Sequence, residues 1–511
     1  MKKFVKKTLC LLLIAVLTLS LFACTQPGGQ ETTKPVNKVP ATQPSFDETT
    51  TPIYTRPGDE DDPDATADDA LDAPGVGGDP LEGEQGDNDT DNDTGAADST
   101  GSVTDNDTGD AFADGAVSSN AAGVAKPLSW ANINSFPVKT TGMSVTQMRK
   151  LCVDFFRYAK TALWTPNKSI DYVKNAKGTN DSMTGGQLYG GLPYVGNASG
   201  NIYRLMDYMD ANGKVDMADM LNLTGSRLST TDLRYFGNQC ANGVAVGWQR
   251  VINSVTKTYT AGITPASGYV MLGSYSKDES KLNSIAAWST TYGTDEFCKA
   301  NGEQVMFKAY AKLQMGDGLV YYTTAGHVIM AATDAHVEYV GNTDVIDGEK
   351  SYITIIDQAQ TWETQTAANG SKYKVKNSVD AQVTFQKLYN SNYVPFTFKE
   401  FLGQDPVEAT TISLNHSGSS ASFADLMGKT LNSNYSITDA YVIVKDSAGK
   451  EVYKHAVRNT TSWGKTLTLK ETGANVDAWG TLPTAGTYTV SVVAQLGTGE
   501  RPTVYSGTLT F

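Results

Sequence analysis

Three residues in the middle of the chain have the types and settings for nucleophilic chemistry: Cys240, His327 and Asp357. A cysteine nucleophile needs a base within hydrogen-bond reach and a group that orients the base. Cys240 closes a turn of small and polar residues, Gly237-Asn238-Gln239, that follows Tyr235-Phe236. After it, Ala241, Val244, Ala245, Trp248, Val251, Ile252 and Val255 recur at spacings of three and four, the period of a helix. Cys240 is therefore expected at a helix N-terminus, where unsatisfied backbone amides suit thiolate chemistry. The chain has four histidines, and His327 and His336 fall in the same part of it as the cysteine. His336 sits in Thr333-Asp334-Ala335-His336, a turn, whereas His327 follows Gly326 and opens an apolar strand, so His327 is the expected base. Asp357 closes an apolar run at 353–356, and Gln358 follows it, facing the other way if the strand continues. A carboxylate also stabilises an imidazolium, so Asp357 is the preferred orienting group and Gln358 the alternative.

The elements that must hold these residues can be read in outline. Met143-Ser144 leads into a helical pattern through Met148, Leu151, Cys152, Phe155, Phe156, Ala159 and Ala162, with Cys152 on its apolar face. A glycine and aromatic turn follows at 188–197, and a short strand is expected at 268–273. Residues 303–314 read as a helix. Strands are expected at 318–322, 326–332, 337–340 and 352–358. Helices followed by an antiparallel meander make an α+β domain, extending to about residue 405. From 406 to 511 short alternating strands and turns, with a hairpin turn at 446–450, resemble an immunoglobulin-like sandwich. His416 and His455 in that region read as isolated surface residues.

The amino-terminal quarter has a different texture. A basic start, Met-Lys-Lys-Phe-Val-Lys-Lys, precedes an apolar run at 9–22 and then Ala23-Cys24. This resembles a bacterial lipoprotein signal (residues 1–24), in which Cys24 is lipidated and anchors the chain to the extracytoplasmic face of the membrane. Residues 25–125 are rich in Asp, Thr, Gly, Pro and Ala, with no basic residue between Arg56 and Lys126. Such a segment is expected to be a disordered tether, with a span on the order of 50–60 Å. The net charge of −14 argues against a nucleic-acid partner. Outside the leader, Cys152, Cys240 and Cys298 remain, an odd number that leaves at least one thiol free or paired between chains. No Cys/His grouping has zinc-ligand spacing, and the acidic stretch at 210–219 has its glycine and lysine at the wrong offsets for a calcium loop. No metal or cofactor is expected.

The order of helix-start cysteine, strand histidine and strand polar residue resembles the NlpC-like bacterial cell-wall cysteine peptidases and their amidase relatives. Pro193-Tyr194, with Gly196 close behind, is similar to that family's Pro-Tyr-glycine turn. Gln239-Cys240-Ala241 stands where the family has Asp-Cys-Ser, Gly316-Asp317 resembles the Gly-Asp before the histidine strand, and Gly326-His327-Val328 matches that strand. The resemblance covers roughly residues 140–365 and implies a papain-like fold for 126–405. It further implies amide-bond cleavage in peptidoglycan stem peptides, with Tyr194, Gln239 and Gln358 near the substrate. A second reading keeps the fold as an inactive wall-binding or adhesion module. The sequence leaves the oligomeric state open.

Overall fold

The computed structural model describes residues 125–511, apart from 174–179, 196–199, 211, 218–236, 254–259, 286, 417–421, 460–462 and 474. The expected signal peptide, Cys24, the tether up to residue 124, and Tyr235-Phe236 lie outside the described residues.

The Val145–Thr161 helix begins with a reciprocal cap, as its sequence invites. The Ser144 side chain accepts from the Gln147 amide, and the Gln147 side chain accepts from the Ser144 amide. Its stripe of Met148, Cys152 and Phe156 is buried. Against it packs the Cys240–Trp248 helix, all nine of whose residues are buried. The two helices approach closely at Gly247. A Cβ there would lie 2.7 Å from the Cβ of Phe156 and 2.9 Å from both the Cys152 carbonyl oxygen and the Met330 Cε. The far end of the Cys240–Trp248 helix is pinned where the Trp248 indole donates to the Gly316 carbonyl at 2.8 Å. Gly316 has φ +90°, a left-handed conformation that suits glycine. Next to it, Asp317 accepts from Arg149 of the long helix at 2.7 Å, so one turn ties both helices to the following strand.

These helices lie against a nine-stranded mixed sheet. Its strand order is Lys214–Val215, Leu163–Pro166, Tyr189–Gly190, Lys372–Thr384, Tyr352–Thr366, Gly326–Ala331, Gly318–Tyr322, Val394–Thr397 and Val270–Met271. Its centre is the expected antiparallel meander, with three differences. Residues 337–340 form no strand; there the chain makes isolated bridges, His336 with Tyr352 and Tyr339 with Ile346, and Tyr339 and Val340 are exposed. The Tyr352 strand does not end at Gln358 but runs to Thr366. Lys372–Thr384 is a strand the sequence reading missed, and it pairs with residues 352–358 and 363–366 of its neighbour across two irregularities.

The C-terminal region is all-β and antiparallel apart from the helical turn Phe423–Leu426. Three strands, Ile412–Leu414, Thr430–Ser433 and Thr466–Thr468, form one sheet. Five others, in the order Val476–Gly480, Glu451–Arg458, Ile437–Lys445, Thr487–Leu496 and Thr503–Thr510, form the second. Leu431, Val442, Val457, Leu467 and Val490 build the core they share. The Ile437–Lys445 strand is buried on both faces, which explains its unbroken apolar run at 440–444. One face fills the shared core, while Tyr441 on the other accompanies a buried ionic contact with the first domain. There Asp439 accepts from Arg204 at 2.9 Å and from Asn201 at 3.1 Å. Asp207 accepts from Arg458 at 2.7 Å and Lys454 at 3.0 Å. Both carboxyl groups meet a burial cost that raises their pKa, and the facing cations outweigh it and hold them below their ordinary values. His455 is not the surface residue expected. It is 1 % exposed, its ring bonded to the Lys470 carbonyl at 2.6 Å, and burial pushes its pKa down.

Candidate active site

Cys240 is the first residue of its helix, with Gln239 as the extended N-cap whose side chain makes no cap bond. The residues before it are held in place by backbone pairing with the Pro193–Val195 segment. The Val195 amide donates to the Asn238 carbonyl, and the Asn238 amide to the Pro193 carbonyl, each at 3.2 Å. A Cβ at Gly237 would lie 2.4 Å from a Val195 methyl and 2.6 Å from the Pro193 carbonyl oxygen, so glycine permits this approach. Tyr194, half-buried, thereby bridges Asn238, two residues before the cysteine. Tyr194 and Gln239, expected near the substrate, are thus both placed at the turn that leads into Cys240.

His327 and Asp357 come from adjacent strands. Their backbone ladder runs only through Met330–Ile356 and Ala331–Ile355. At the level of His327 the side chains span the strands instead, with His327 Nε2 2.7 Å from Asp357 Oδ1. Cys240, 5 % exposed, places its sulfur 4.0 Å from the Gly326 carbonyl oxygen, immediately before His327. Burial penalises a charged His327 ring. The Asp357 carboxylate and the Cys240 sulfur, which both interact with the ring, outweigh that penalty and raise the His327 pKa well above its ordinary value. Since Nε2 is taken by Asp357, Nδ1 is the nitrogen left to serve the sulfur. His336 is elsewhere, stacked on Tyr352 and paired with Glu338 at 3.2 Å.

Gln358 departs from expectation. It is fully buried, and its amide nitrogen donates to the Leu192 and Lys376 carbonyls, each at 3.2 Å. Successive strand residues point to opposite sides, so when Asp357 meets the histidine Gln358 cannot. Its oxygen accepts instead from Lys160, a residue sequence reasoning overlooked. Lys160 also donates to Asn238 Oδ1 at 3.0 Å and is 1 % exposed. Burial pushes its pKa down to about 7 despite the opposing pull of Asp357 and Cys240. A signal existed: Lys160 falls four residues after Phe156 and eight after Cys152, in line with the apolar stripe of its helix.

The other two thiols differ in setting. Cys152 and Cys298 are free and fully buried, and burial pushes both thiol pKa values well up. Among the described residues, no group of three His, Cys, Asp or Glu side chains could hold a metal. None of their helices is long and apolar enough to cross a membrane. Asp210, in the acidic stretch at 210–219, turns its carboxylate onto the amides of Asn212 and Lys214.

No family model matches the chain, and no curated protein does. Among solved structures, fibronectin(III)-like modules of Clostridium thermocellum CbhA are similar at 12 % identity over 39 % of this chain and 79 % of theirs, with a TM-score of 0.13. At that TM-score the likeness carries no argument.

Proposed function

We propose that the chain is a papain-like cysteine hydrolase of the NlpC-like cell-wall type, which cleaves amide bonds in peptidoglycan stem peptides. The observation that carries this reading is the His327–Asp357 pair at 2.7 Å, beside a cysteine that opens a buried helix. In this mechanism His327 takes the Cys240 proton and the thiolate attacks the scissile carbonyl carbon. Backbone amides at the helix start receive the oxyanion. The imidazolium gives its proton to the leaving amine, so the C–N bond breaks and a thioester remains. His327 then deprotonates a water that attacks the thioester, releasing the carboxylate and restoring the thiol. Asp357 holds the ring and stabilises its charged form. Tyr194 and Gln239 flank the nucleophile and would meet the substrate. The leader ending at Cys24 and the acidic tether would carry this domain on a lipid at the extracytoplasmic face of the membrane. The 406–511 region, read as an immunoglobulin-like sandwich, would brace it.

The near-complete burial of Cys240 and His327 favours a second reading, in which the same fold serves as an inactive wall-binding module. One experiment separates the two. Mass spectrometry of peptidoglycan incubated with the wild type should show new muropeptides, and Cys240→Ala should produce none. No new products from the wild type, or the same products from Cys240→Ala, would remove the hydrolase assignment.

A further inference from the structure

Lys160 is a fully buried ammonium group for which the cleavage mechanism above has no use. It reaches the site from the last turn of the Val145–Thr161 helix and finds two side-chain acceptors there. Asn238 Oδ1, 3.0 Å away, belongs to the turn that delivers Cys240. Gln358 Oε1 belongs to the strand that carries Asp357. The space is shaped for this group. A Cβ at Gly243, one turn into the cysteine helix, would lie 3.1 Å from the lysine Nζ, 3.2 Å from the Gln358 Cβ and 3.5 Å from Asn238 Oδ1. Gln358 is itself fixed by two carbonyls, and the Asn377 side chain donates to the Lys160 carbonyl at 2.8 Å. The charged groups acting on the ammonium are Asp357 and Cys240, and the Phe156 ring lies 5.2 Å from it.

The charge balance of the site gives this lysine a role. A reactive state with a thiolate, an imidazolium and a carboxylate carries one net negative charge. Cys240, His327 and Asp357 are each at most 5 % exposed, and an unbalanced charge in such a place is costly. One ammonium brings the sum to zero.

We propose that Lys160 is the positioning and charge-balancing residue of the Cys240 site, clamping the turn before the nucleophile to the Asp357 strand and offsetting the excess negative charge of the thiolate state. The proposal rests on the reading of Cys240 as a nucleophile. Burial pushes the pKa of this lysine down to about 7, and Asp357 and Cys240 oppose that shift by favouring its charged form.

The test is the pH dependence of Cys240 alkylation by iodoacetamide in the full chain, read by mass spectrometry for the wild type, Lys160→Met and Lys160→Gln. The glutamine variant keeps hydrogen-bonding capacity without charge and guards against a methionine variant that fails to fold. Removing a nearby opposite charge should raise the midpoint for Cys240 in both variants by about one to three pH units. A purely structural lysine would lower the melting temperature and leave that midpoint in place. Folded variants with the wild-type midpoint would overturn the proposal. Wild-type Cys240 reacting no faster than Cys152 and Cys298 would instead overturn the nucleophile reading.

Discussion

Asp357 Oδ1 lies 2.7 Å from His327 Nε2, and the two side chains are 3 % and 1 % exposed. A carboxylate so placed fixes which ring nitrogen faces the sulfur and favours the charged ring. The replacement Asp357→Asn keeps the size and removes the charge. By NMR titration of the four histidines, the His327 pKa should fall from its raised value toward the ordinary one. Hydrolysis should drop about 10²–10⁴-fold, the scale of general acid–base catalysis. An unchanged His327 titration would contradict the role given to Asp357.

The same pair makes stability depend on pH. The folded pKa of His327 is raised, so the folded state holds a proton that the unfolded state releases. The stabilisation is therefore complete below about pH 6.5, the unfolded value, and is lost as pH rises through the folded pKa. Urea denaturation of the wild type and Asp357→Asn across this range should show their difference in stability shrinking on the alkaline side. A difference independent of pH would contradict the linkage.

The contact between the two domains predicts the opposite pH dependence. Asp207 and Asp439 have lowered folded pKa values, so their contribution is present above about pH 3.9 and is lost as pH falls through the folded values. Asp439→Ala would leave Arg204 buried without this carboxylate and should cost about 3–5 kcal/mol in urea denaturation at neutral pH. A loss below about 1 kcal/mol, as for an exposed pair, would show that the contact does not hold the domains together.

Packing between the two helices leaves no room at Gly247. Gly247→Val should destabilise the chain by about 1–3 kcal/mol in the same measurement. Gly142, where a Cβ would meet nothing within 4 Å, supplies the control. Gly142→Ala should stay within about 0.5 kcal/mol of the wild type. Equal effects at the two positions would contradict the close helix approach.

The sequence disclosed those parts of the site whose local pattern differs from their surroundings. Cys240 stood out because a small-residue turn gives way to a helical period, and His327 because histidine is scarce and a glycine precedes it. Asp357 is legible from its charge at the close of an apolar run, but the expected end of its strand at residue 358 is not there. The strand continues to Thr366, because its neighbour Lys372–Thr384 pairs with residues 352–358 and, beyond an irregularity, with residues 363–366. That neighbour carries Lys372, Lys374 and Lys376, which break the apolar pattern that marks a strand. Yet Lys376 is fully buried, with Asp181 as its partner and the Trp362 ring 4.9 Å away. Lys160 was missed for the same reason: a lysine near a helix end is ordinarily a surface residue. Which long-range acceptors await such a group is settled by tertiary contacts, and no local period encodes them. The 337–340 segment failed in the other direction, since its apolar residues suggested a strand that no neighbour completes.

The central claim is that Cys240, served by His327, is the reactive thiol of the chain. Site-resolved iodoacetamide alkylation of the native protein near pH 7 tests it most directly. The account predicts that Cys240 is modified much faster than Cys152 and Cys298, and that His327→Ala removes the difference while Cys152 and Cys298 stay slow. Alkylation of all three cysteines at one rate in the native wild type would contradict it.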